Sequence, residues 1–313
     1  MLEHSTKVKD TINGYGKKSV FASFLPGIAG TKGIPIWCYY VNRGQGVASF
    51  GVNNKDNHIM EFYPAHTSYQ LVKRTGFRTF LKIDGSYFEP FKEELDSDTM
   101  NIYMNGLSLV QKSEDKKVTT SVDYTALPGE EIGALLRVVT IKNDADTKRH
   151  FEVVDGMPAL VPYGVDQNSL KMMAQTTKAW MQVEDVDKKV PYYRVRVSMN
   201  DSAEVQKVNG GNFAFAVDES ADKLPVIADP NVVFDYDLSL EKAVGFIDGG
   251  AEGLLNAEQN SSNEFPSCFF VKSADLEAGA ELTLYEIIGQ VRNKEVLSKF
   301  LDKKIDRKYF DNL

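Results

Sequence analysis

The chain has 313 residues, of which 42% are hydrophobic and 26% are charged, and its net charge at pH 7 is -8. These proportions are typical of a globular protein and exclude wholesale disorder. The acidic balance argues against a nucleic-acid partner, because such binding depends on cationic contacts with phosphates. The length is slightly above roughly 250 to 300 residues, where one hydrophobic core usually stops growing, so one large double-sheet domain or two fused sandwiches would fit.

The chain begins with a polar segment that contains several glycines, residues 1–33. We expect this lead-in segment to cover the body of the protein more than to build it. It lacks the apolar core of a secretion signal, and no run of about 18 apolar residues occurs in the chain. The sequence therefore predicts a cytoplasmic protein without a membrane partner.

Two apolar runs, 34–42 and 46–52, predict a β-hairpin, because Val, Ile, Tyr and Trp favour strands. The turn from Asn42 to Gly46 supplies the Asn and Gly that a tight turn needs at positive φ. Within this turn, Arg43 and Gln45 carry several donors that suit the recognition of hydroxyls or oxyanions. A plain surface hairpin explains the same residues, so both interpretations stay open.

Strands dominate from residue 34 to residue 291, which we interpret as one β-sandwich domain. Two long runs, 132–143 and 280–290, follow glycine-containing turns and are predicted to be central strands of a sheet. No repeat of fixed period is visible, which argues against solenoids and propellers. Further strands are predicted at residues 58–63, 77–83, 99–104, 107–113, 117–125, 149–157, 192–199, 212–218, 232–236 and 265–273.

Two helices interrupt this β pattern. Residues 168–184 have a broad apolar face at helical spacing and are predicted to lie on the sandwich. The second helix begins at Asn293, a good N-cap, and its apolar stripe continues to Leu313. We interpret residues 292–313 as an amphipathic linker helix toward a following domain. The alternative is a terminal helix that docks on its own sandwich.

The two cysteines, Cys38 and Cys268, each lie inside an apolar run. A disulfide between them is possible. Buried free thiols are the favoured interpretation, because unpaired cysteine behaves as a small hydrophobic residue in a reducing compartment.

Several segments resemble the N-terminal β-sandwich region of the cellobiose phosphorylase-type inverting glycoside phosphorylases, formerly grouped with the glycosyltransferases of family 36. The resemblance extends from about Phe24 to the C-terminus. It does not separate β-1,2, β-1,3 and β-1,4 linkages. The segments that carry it are Ile34 to Gly51, Asn53 to His66, Tyr69-Gln70-Leu71, Gly76 to Lys82, Pro162-Tyr163-Gly164-Val165, Ala179-Trp180-Met181, Gly211-Asn212-Phe213 and Leu224 to Pro230.

The resemblance implies a mainly β, antiparallel supersandwich of the galactose mutarotase-like kind, joined by linker helices to an (α/α)6 barrel that this chain does not contain. It also implies a homodimer that reversibly phosphorolyses β-linked gluco-oligosaccharides to a sugar 1-phosphate. Inorganic phosphate is then a co-substrate, and no cofactor is implied. The family keeps its catalytic groups mainly on the barrel, so no catalytic residue is expected in this chain.

In the resembled family, a loop of the sandwich approaches the active site of the partner subunit. We therefore expect two turns to help close a sugar or phosphate pocket, those with Asn42, Arg43 and Gln45 and with Lys55, Asp56 and His58. Trp180 could stack on a sugar ring, although core packing explains it equally simply. No metal site is predicted, because the histidine spacing matches no compact metal motif.

Two other functions stay open. One is a free-standing carbohydrate-binding or scaffold sandwich. The other is a mutarotase-like epimerase, which would need a histidine and a carboxylate facing one groove. The internal histidines available for that role are His58, His66 and His150.

Overall fold

The computed structural model describes residues 10–25, 27–198 and 203–313. Strands alternate with short helices along these residues. The helices are α1 Ala65–Thr75, α2 Gln167–Lys178, α3 Pro230–Phe234, α4 Val244–Asn256, α5 Lys294–Leu301 and α6 Arg307–Asp311. The strands are β1 Asp10–Asn13, β2 Ala22–Leu25, β3 Ile28–Ala29, β4 Ile34–Val41, β5 Val47–Val52, β6 His58–Met60, β7 Arg78–Ile83, β8 Ser86–Phe88, β9 Thr99–Ile102, β10 Gly106–Ser113, β11 Val118–Ala126, β12 Gly133–Asn143, β13 Arg149–Met157, β14 Met181–Glu184, β15 Tyr192–Val195, β16 Gly211–Asp218, β17 Val226–Ile227, β18 Cys268–Leu276 and β19 Glu281–Val291.

The strands form three sheets, and neighbouring strands in each sheet are antiparallel. The largest sheet has nine strands in the order β1-β9-β10-β11-β12-β19-β16-β15-β14. A second sheet has the order β17-β18-β13-β7-β8, and a third has the order β2-β4-β5-β6 with β3 attached to β4. The prediction of a mainly β, antiparallel sandwich is confirmed, and the described residues include more short helices than the two that were predicted.

The two runs predicted to be central strands, β12 and β19, are neighbours in the middle of the nine-stranded sheet. Side chains alternate between the two faces of a strand. Leu135 and Val139 accordingly enter the main core between the sheets, whereas Leu136 and Val138 enter a second core on the outer face. By the same alternation Arg137 points into the main core, where a charged side chain needs partners.

The outer face of this sheet is covered by α5 and α6. The ring of Phe310 stacks on Tyr285 with centroids 4.2 Å apart, and Phe300 packs against Phe215 at 6.0 Å. The predicted N-cap is confirmed, since the Asn293 side chain accepts a hydrogen bond from the backbone N–H of Val296.

The prediction of one continuous helix up to residue 313 is wrong, because the chain leaves the helical conformation between α5 and α6. Asp306 begins α6 as an N-cap, and its carboxylate accepts the backbone N–H of Tyr309 at 3.0 Å. The apolar stripe is covered by the chain's own sheet, as the alternative interpretation predicted. The barrel expected after this segment stays a prediction.

Several helices and strands differ from the predictions. The run 232–236 was expected to be a strand, but Asp229 as N-cap and Pro230 at the first position start helix α3 there. Helix α2 ends at Lys178, and 181–184 form strand β14 instead of a further helical turn. Helices α1 and α4 were not predicted. The glycines of α4 obscure its pattern, and Gly250 kinks it with a φ of 64°.

The lead-in segment contributes more structure than expected. Strand β1 pairs with β9 at the edge of the nine-stranded sheet, and β2 pairs with β4 at the edge of the third sheet. Cys38 and Cys268 are buried free thiols, which confirms the favoured interpretation. No helix in the described part of the chain is long and apolar enough to cross a membrane.

Candidate functional site

A polar cavity of about 200 Å³ lies where the third sheet meets the nine-stranded sheet. Strand β6 and the loop before it form one wall, and the loop between β13 and α2 forms another. Strands β16 and β19 close the cavity from the large sheet. We call it the His58 pocket, and its polar lining consists of Asp56, His58, Tyr163, Asp166, Asn212 and Gln290.

His58 is the most unusual residue of this pocket. His58 is only 1% exposed, and neither of its ring nitrogens has a hydrogen-bond partner among the described residues. Burial lowers the pKa of His58, while the backbone carbonyls of Asp56 and Lys55, which lie near the ring but outside hydrogen-bond geometry, and the charges of Asp56 and Asp166 oppose this shift. The ring is therefore neutral at pH 7, with one nitrogen able to donate and the other able to accept.

Asp166 keeps a negative charge beside this neutral ring. It is the N-cap of α2, and its Oδ1 accepts the backbone N–H groups of Asn168 and Ser169, both at 2.8 Å. These hydrogen bonds lower its pKa, with the largest contribution from the backbone N–H of Ser169. Asp56, on the opposite wall, pairs with the ammonium of Lys55 at 2.8 Å.

Two amides complete the pocket from the large sheet. Asn212 on β16 stands directly beside Gln290 on β19, and the Gln290 amide donates to Oδ1 of Asn212 at 3.0 Å. The Asn212 amide in turn donates to the carbonyl of Val161 at 2.8 Å, which ties the pocket loop to the sheet. These bonds orient both amides and leave further donor and acceptor capacity for a ligand.

The pocket therefore offers carboxylates, amides, a phenol and a neutral imidazole in a small volume. Such mixed donors and acceptors suit a ligand rich in hydroxyl groups. Across the described ranges, no group of three or more His, Cys, Asp and Glu side chains is placed to hold a metal ion.

The structure brings three predicted site residues, Lys55, Asp56 and His58, to this pocket or its rim. Asn42 and Arg43 instead hold the N-terminal segment. The buried Asn42 amide donates to the carbonyls of Tyr15 and Ser19, and Arg43 donates to the carbonyl of Lys18 at 3.1 Å. The hairpin tip is thus packed into the protein rather than presented to solvent.

Gln45 lies inside a second polar group, which we call the Arg137 cluster. The Gln45 amide donates to Thr79 Oγ1 at 2.8 Å and accepts from the Arg137 guanidinium at 2.5 Å. Arg137 also pairs with Asp155, and with Glu286 at 2.7 Å. The cluster joins all three sheets and consists of Gln45, Thr79, Tyr124, Arg137, Asp155 and Glu286.

The Arg137 cluster holds two carboxylates against one guanidinium. Burial raises the pKa of Glu286 well above its usual range, and the charge of Asp155 adds to this against the opposing effect of Arg137. One carboxylate oxygen of Glu286 accepts from Arg137 at 2.7 Å, and Oε1 has no hydrogen-bond partner among the described residues. A proton on Glu286 would leave the cluster without net charge, and the shift of its pKa favours that form.

Trp180 follows α2 and is half-buried. It packs against the cluster of Val161, Val165, Leu170, Met181 and Val195, so part of its ring is used in packing. Its proposed role as a sugar platform stays a prediction.

Tyr163, Asp166, Asn212 and Gln290 were not predicted as site residues. Tyr163 and Asn212 lie in two segments that carry the family resemblance, so the signal was present. What the sequence did not reveal was that these segments meet at His58.

A larger cavity of about 350 Å³, which we call the cleft, lies beside the same segments. The apolar part of its lining, which we call its floor, includes Met60, Val161, Leu238 and Phe265. The cleft is also lined by Glu61, Tyr63, Lys178 and Glu264.

No protein-family model matches the sequence, and no curated protein is similar to it at a significant level. Solved structures are similar in fold at low identity. A polysaccharide lyase is 10% identical, with a TM-score of 0.42, and the match covers 86% of this chain and 34% of the lyase. A predicted aldose 1-epimerase from Escherichia coli K12 is 8% identical, with a TM-score of 0.42, over 87% of this chain and 99% of the epimerase.

A predicted kojibiose phosphorylase from the human microbiome is 8% identical, with a TM-score of 0.36. The match covers 96% of this chain and 30% of the phosphorylase. This chain therefore spans about a third of the length of the lyase and of the phosphorylase. The structures to which it is similar are those of carbohydrate-active enzymes.

Proposed function

We propose that this chain is a carbohydrate-binding β-sandwich of a carbohydrate-active enzyme, and that the His58 pocket binds one sugar ring. The observation that carries the proposal is the His58 ring, which is buried with both nitrogens free of partners among the described residues. Leaving a buried polar group unpaired destabilises a protein by about 1 to 3 kcal/mol. A ligand hydroxyl that pairs with the ring would offset this cost.

The pocket chemistry favours a neutral polyol over an anion. The carboxylates of Asp56 and Asp166 repel a negative ligand, and the amides of Asn212 and Gln290 can both donate and accept. The pocket is therefore suited to a sugar and poorly suited to inorganic phosphate.

We further propose that the parent activity is that of an inverting glycoside phosphorylase of the cellobiose phosphorylase type, acting as a cytoplasmic homodimer. The support is the resemblance of the segments around Tyr163 and Asn212, which line the His58 pocket. The chain would then contribute to dimerisation and to closure of the active site. Phosphate and the cleaved bond would be handled by the barrel, so the chain alone should release no sugar 1-phosphate.

The test is calorimetric titration of the chain with glucose and with β-1,2-, β-1,3- and β-1,4-linked glucobioses. We expect binding that His58→Leu weakens at least about tenfold, through loss of hydrogen bonds in a buried site. His66→Leu is the matched control, because His66 is exposed. Absence of sugar binding by the unmodified chain would contradict the binding proposal. Release of sugar 1-phosphate by the chain with phosphate would contradict the assignment of catalysis to the barrel.

An aldose epimerase is a second candidate, favoured by the neutral His58 ring in one pocket with the Asp56 and Asp166 carboxylates. His150, the other histidine considered, pairs with Asp275 at 2.7 Å on the surface. Polarimetry of freshly dissolved α-glucose decides between the candidates. Acceleration that His58→Leu abolishes would favour the epimerase, and an unchanged rate would argue against it.

A further inference from the structure

The cleft beside the His58 pocket combines an apolar floor with charged groups that have unused binding capacity. Within this floor Leu238 is exposed and Phe265 is half-buried, whereas Met60 and Val161 are almost fully buried. The apolar surface that Leu238 and Phe265 present to this cavity of about 350 Å³ is available to a ligand with an apolar face.

Three charged side chains line the same cleft. One carboxylate oxygen of Glu61 accepts the Tyr63 hydroxyl at 2.6 Å, and the other has no partner among the described residues. Lys178 is half-buried, and neither it nor Glu264 forms an ion pair within the part of the chain that the structure describes. A charged group beside an apolar surface is less well hydrated than one in open water. A hydrogen bond from a ligand therefore stabilises it more.

The cleft and the His58 pocket are lined by neighbouring residues of the same two segments. Strand β6 places His58 in the pocket and Met60 in the cleft. The loop after β13 likewise places Val161 in the cleft and Pro162 in the pocket. The backbone N–H of Val161 donates to the carbonyl of Ile59 at 2.8 Å, which holds the two segments side by side.

We propose that the cleft binds a further ring of a neutral oligosaccharide whose first ring occupies the His58 pocket. This inference rests on the proposed sugar binding by that pocket. A pyranose ring has apolar C–H faces and a rim of hydroxyls. Its face matches the floor at Phe265, while its hydroxyls can donate to Glu61 and accept from Lys178.

Calorimetric titration with glucose and with β-1,2-, β-1,3- and β-1,4-linked glucotrioses tests the inference. At least one triose should bind about tenfold or more tightly than glucose, because charged groups add hydrogen bonds to its further rings. Lys178→Met and Glu61→Gln should each remove most of this gain and leave glucose affinity unchanged. Lys171→Met, on the same helix, and Glu258→Gln are matched surface controls that should change neither affinity.

Methyl NMR of the unmodified chain separates the two proposals. Val165 reports on the His58 pocket, whereas Met60 and Leu238 report on the cleft. With a triose, shifts at all three residues are expected. Shifts at Val165 alone would leave the pocket proposal standing and overturn the cleft inference. Shifts at Met60 and Leu238 alone would overturn the pocket proposal, and no shifts would overturn both. Equal binding of glucose and all trioses would also overturn the cleft inference.

Discussion

The Arg137 cluster and the His58 pocket both place polar side chains between sheets, but they differ in where the hydrogen-bond partners come from. In the cluster, Arg137 is enclosed by Asp155, Glu286 and Gln45. In the pocket, His58 has no partner among the described residues and faces a cavity. Both Arg137 and His58 are buried, so the two residues differ in their partners rather than in their own exposure.

This difference separates a structural polar group from a candidate binding group. A buried network whose members satisfy one another joins sheets and has little capacity left for a ligand. A buried side chain that lacks partners reduces stability in the free protein and is retained where a ligand can supply them. Gln45 and His58 were both predicted as site residues. Gln45 belongs to the structural network, whereas His58 is the candidate binding group.

The largest effect should follow from Arg137→Met, which would leave Asp155 and Glu286 buried without their cation. We expect the free energy of unfolding to fall by about 3 to 5 kcal/mol, measured by urea denaturation. Arg149→Met is the control, since the Arg149 pair with Asp84 is partly exposed and should contribute about 1 kcal/mol or less. Equal losses in the two variants would contradict the structural role of the cluster.

Gln45→Leu should have the next largest effect. It removes the acceptor of Arg137 and the donor to Thr79, so we expect a loss of about 1 to 3 kcal/mol in the free energy of unfolding. Sugar affinity, measured by calorimetry at a temperature where the variant is folded, should not change. Weaker sugar binding by the folded variant would show that Gln45 contributes to the binding site and would contradict its purely structural role.

Glu286→Gln tests whether the cluster holds a proton. Because the pKa of Glu286 is raised by burial, the folded chain binds a proton that the unfolded chain releases above the ordinary glutamate pKa. The unmodified protein should therefore lose stability as pH rises between the ordinary and the raised pKa, with a limiting slope of about 1.4 kcal/mol per pH unit. The variant should lack this slope. Parallel pH profiles from urea denaturation would show that Glu286 carries no such proton.

His58→Leu should have the smallest effect on stability and the opposite sign. Removing an unpaired buried ring should raise the free energy of unfolding by about 1 kcal/mol while sugar binding is lost. Because burial lowers the pKa of His58, its protonation also destabilises the fold as pH falls below the ordinary histidine value. The variant should lose that acid sensitivity. Destabilisation together with unchanged sugar binding would identify His58 as a packing residue.

Much of the β architecture could be predicted from alternation and turn residues. The hairpin of β4 and β5 and the central position of β12 and β19 follow from local apolar runs and glycine turns. Helix α3 was predicted as a strand because Val and Phe favour strands. In the structure the N-cap Asp229 and the first-turn Pro230 start a helix there instead. The turn from Asn42 to Gly46 was located correctly, but its burial depends on contacts with Tyr15, which is distant in sequence.

The sequence by itself determined most of the strands, the N-cap of α5 at Asn293 and which side chains are polar, because these properties depend on neighbours along the chain. Only the tertiary structure decided which polar groups would find partners. Arg137 and Asp155 meet across different sheets, and the pocket gathers His58, Asn212 and Gln290 from separate strands. Hydrogen bonds are short and directional, so their pairing depends on how the sheets pack and not on the sequence pattern of any one strand.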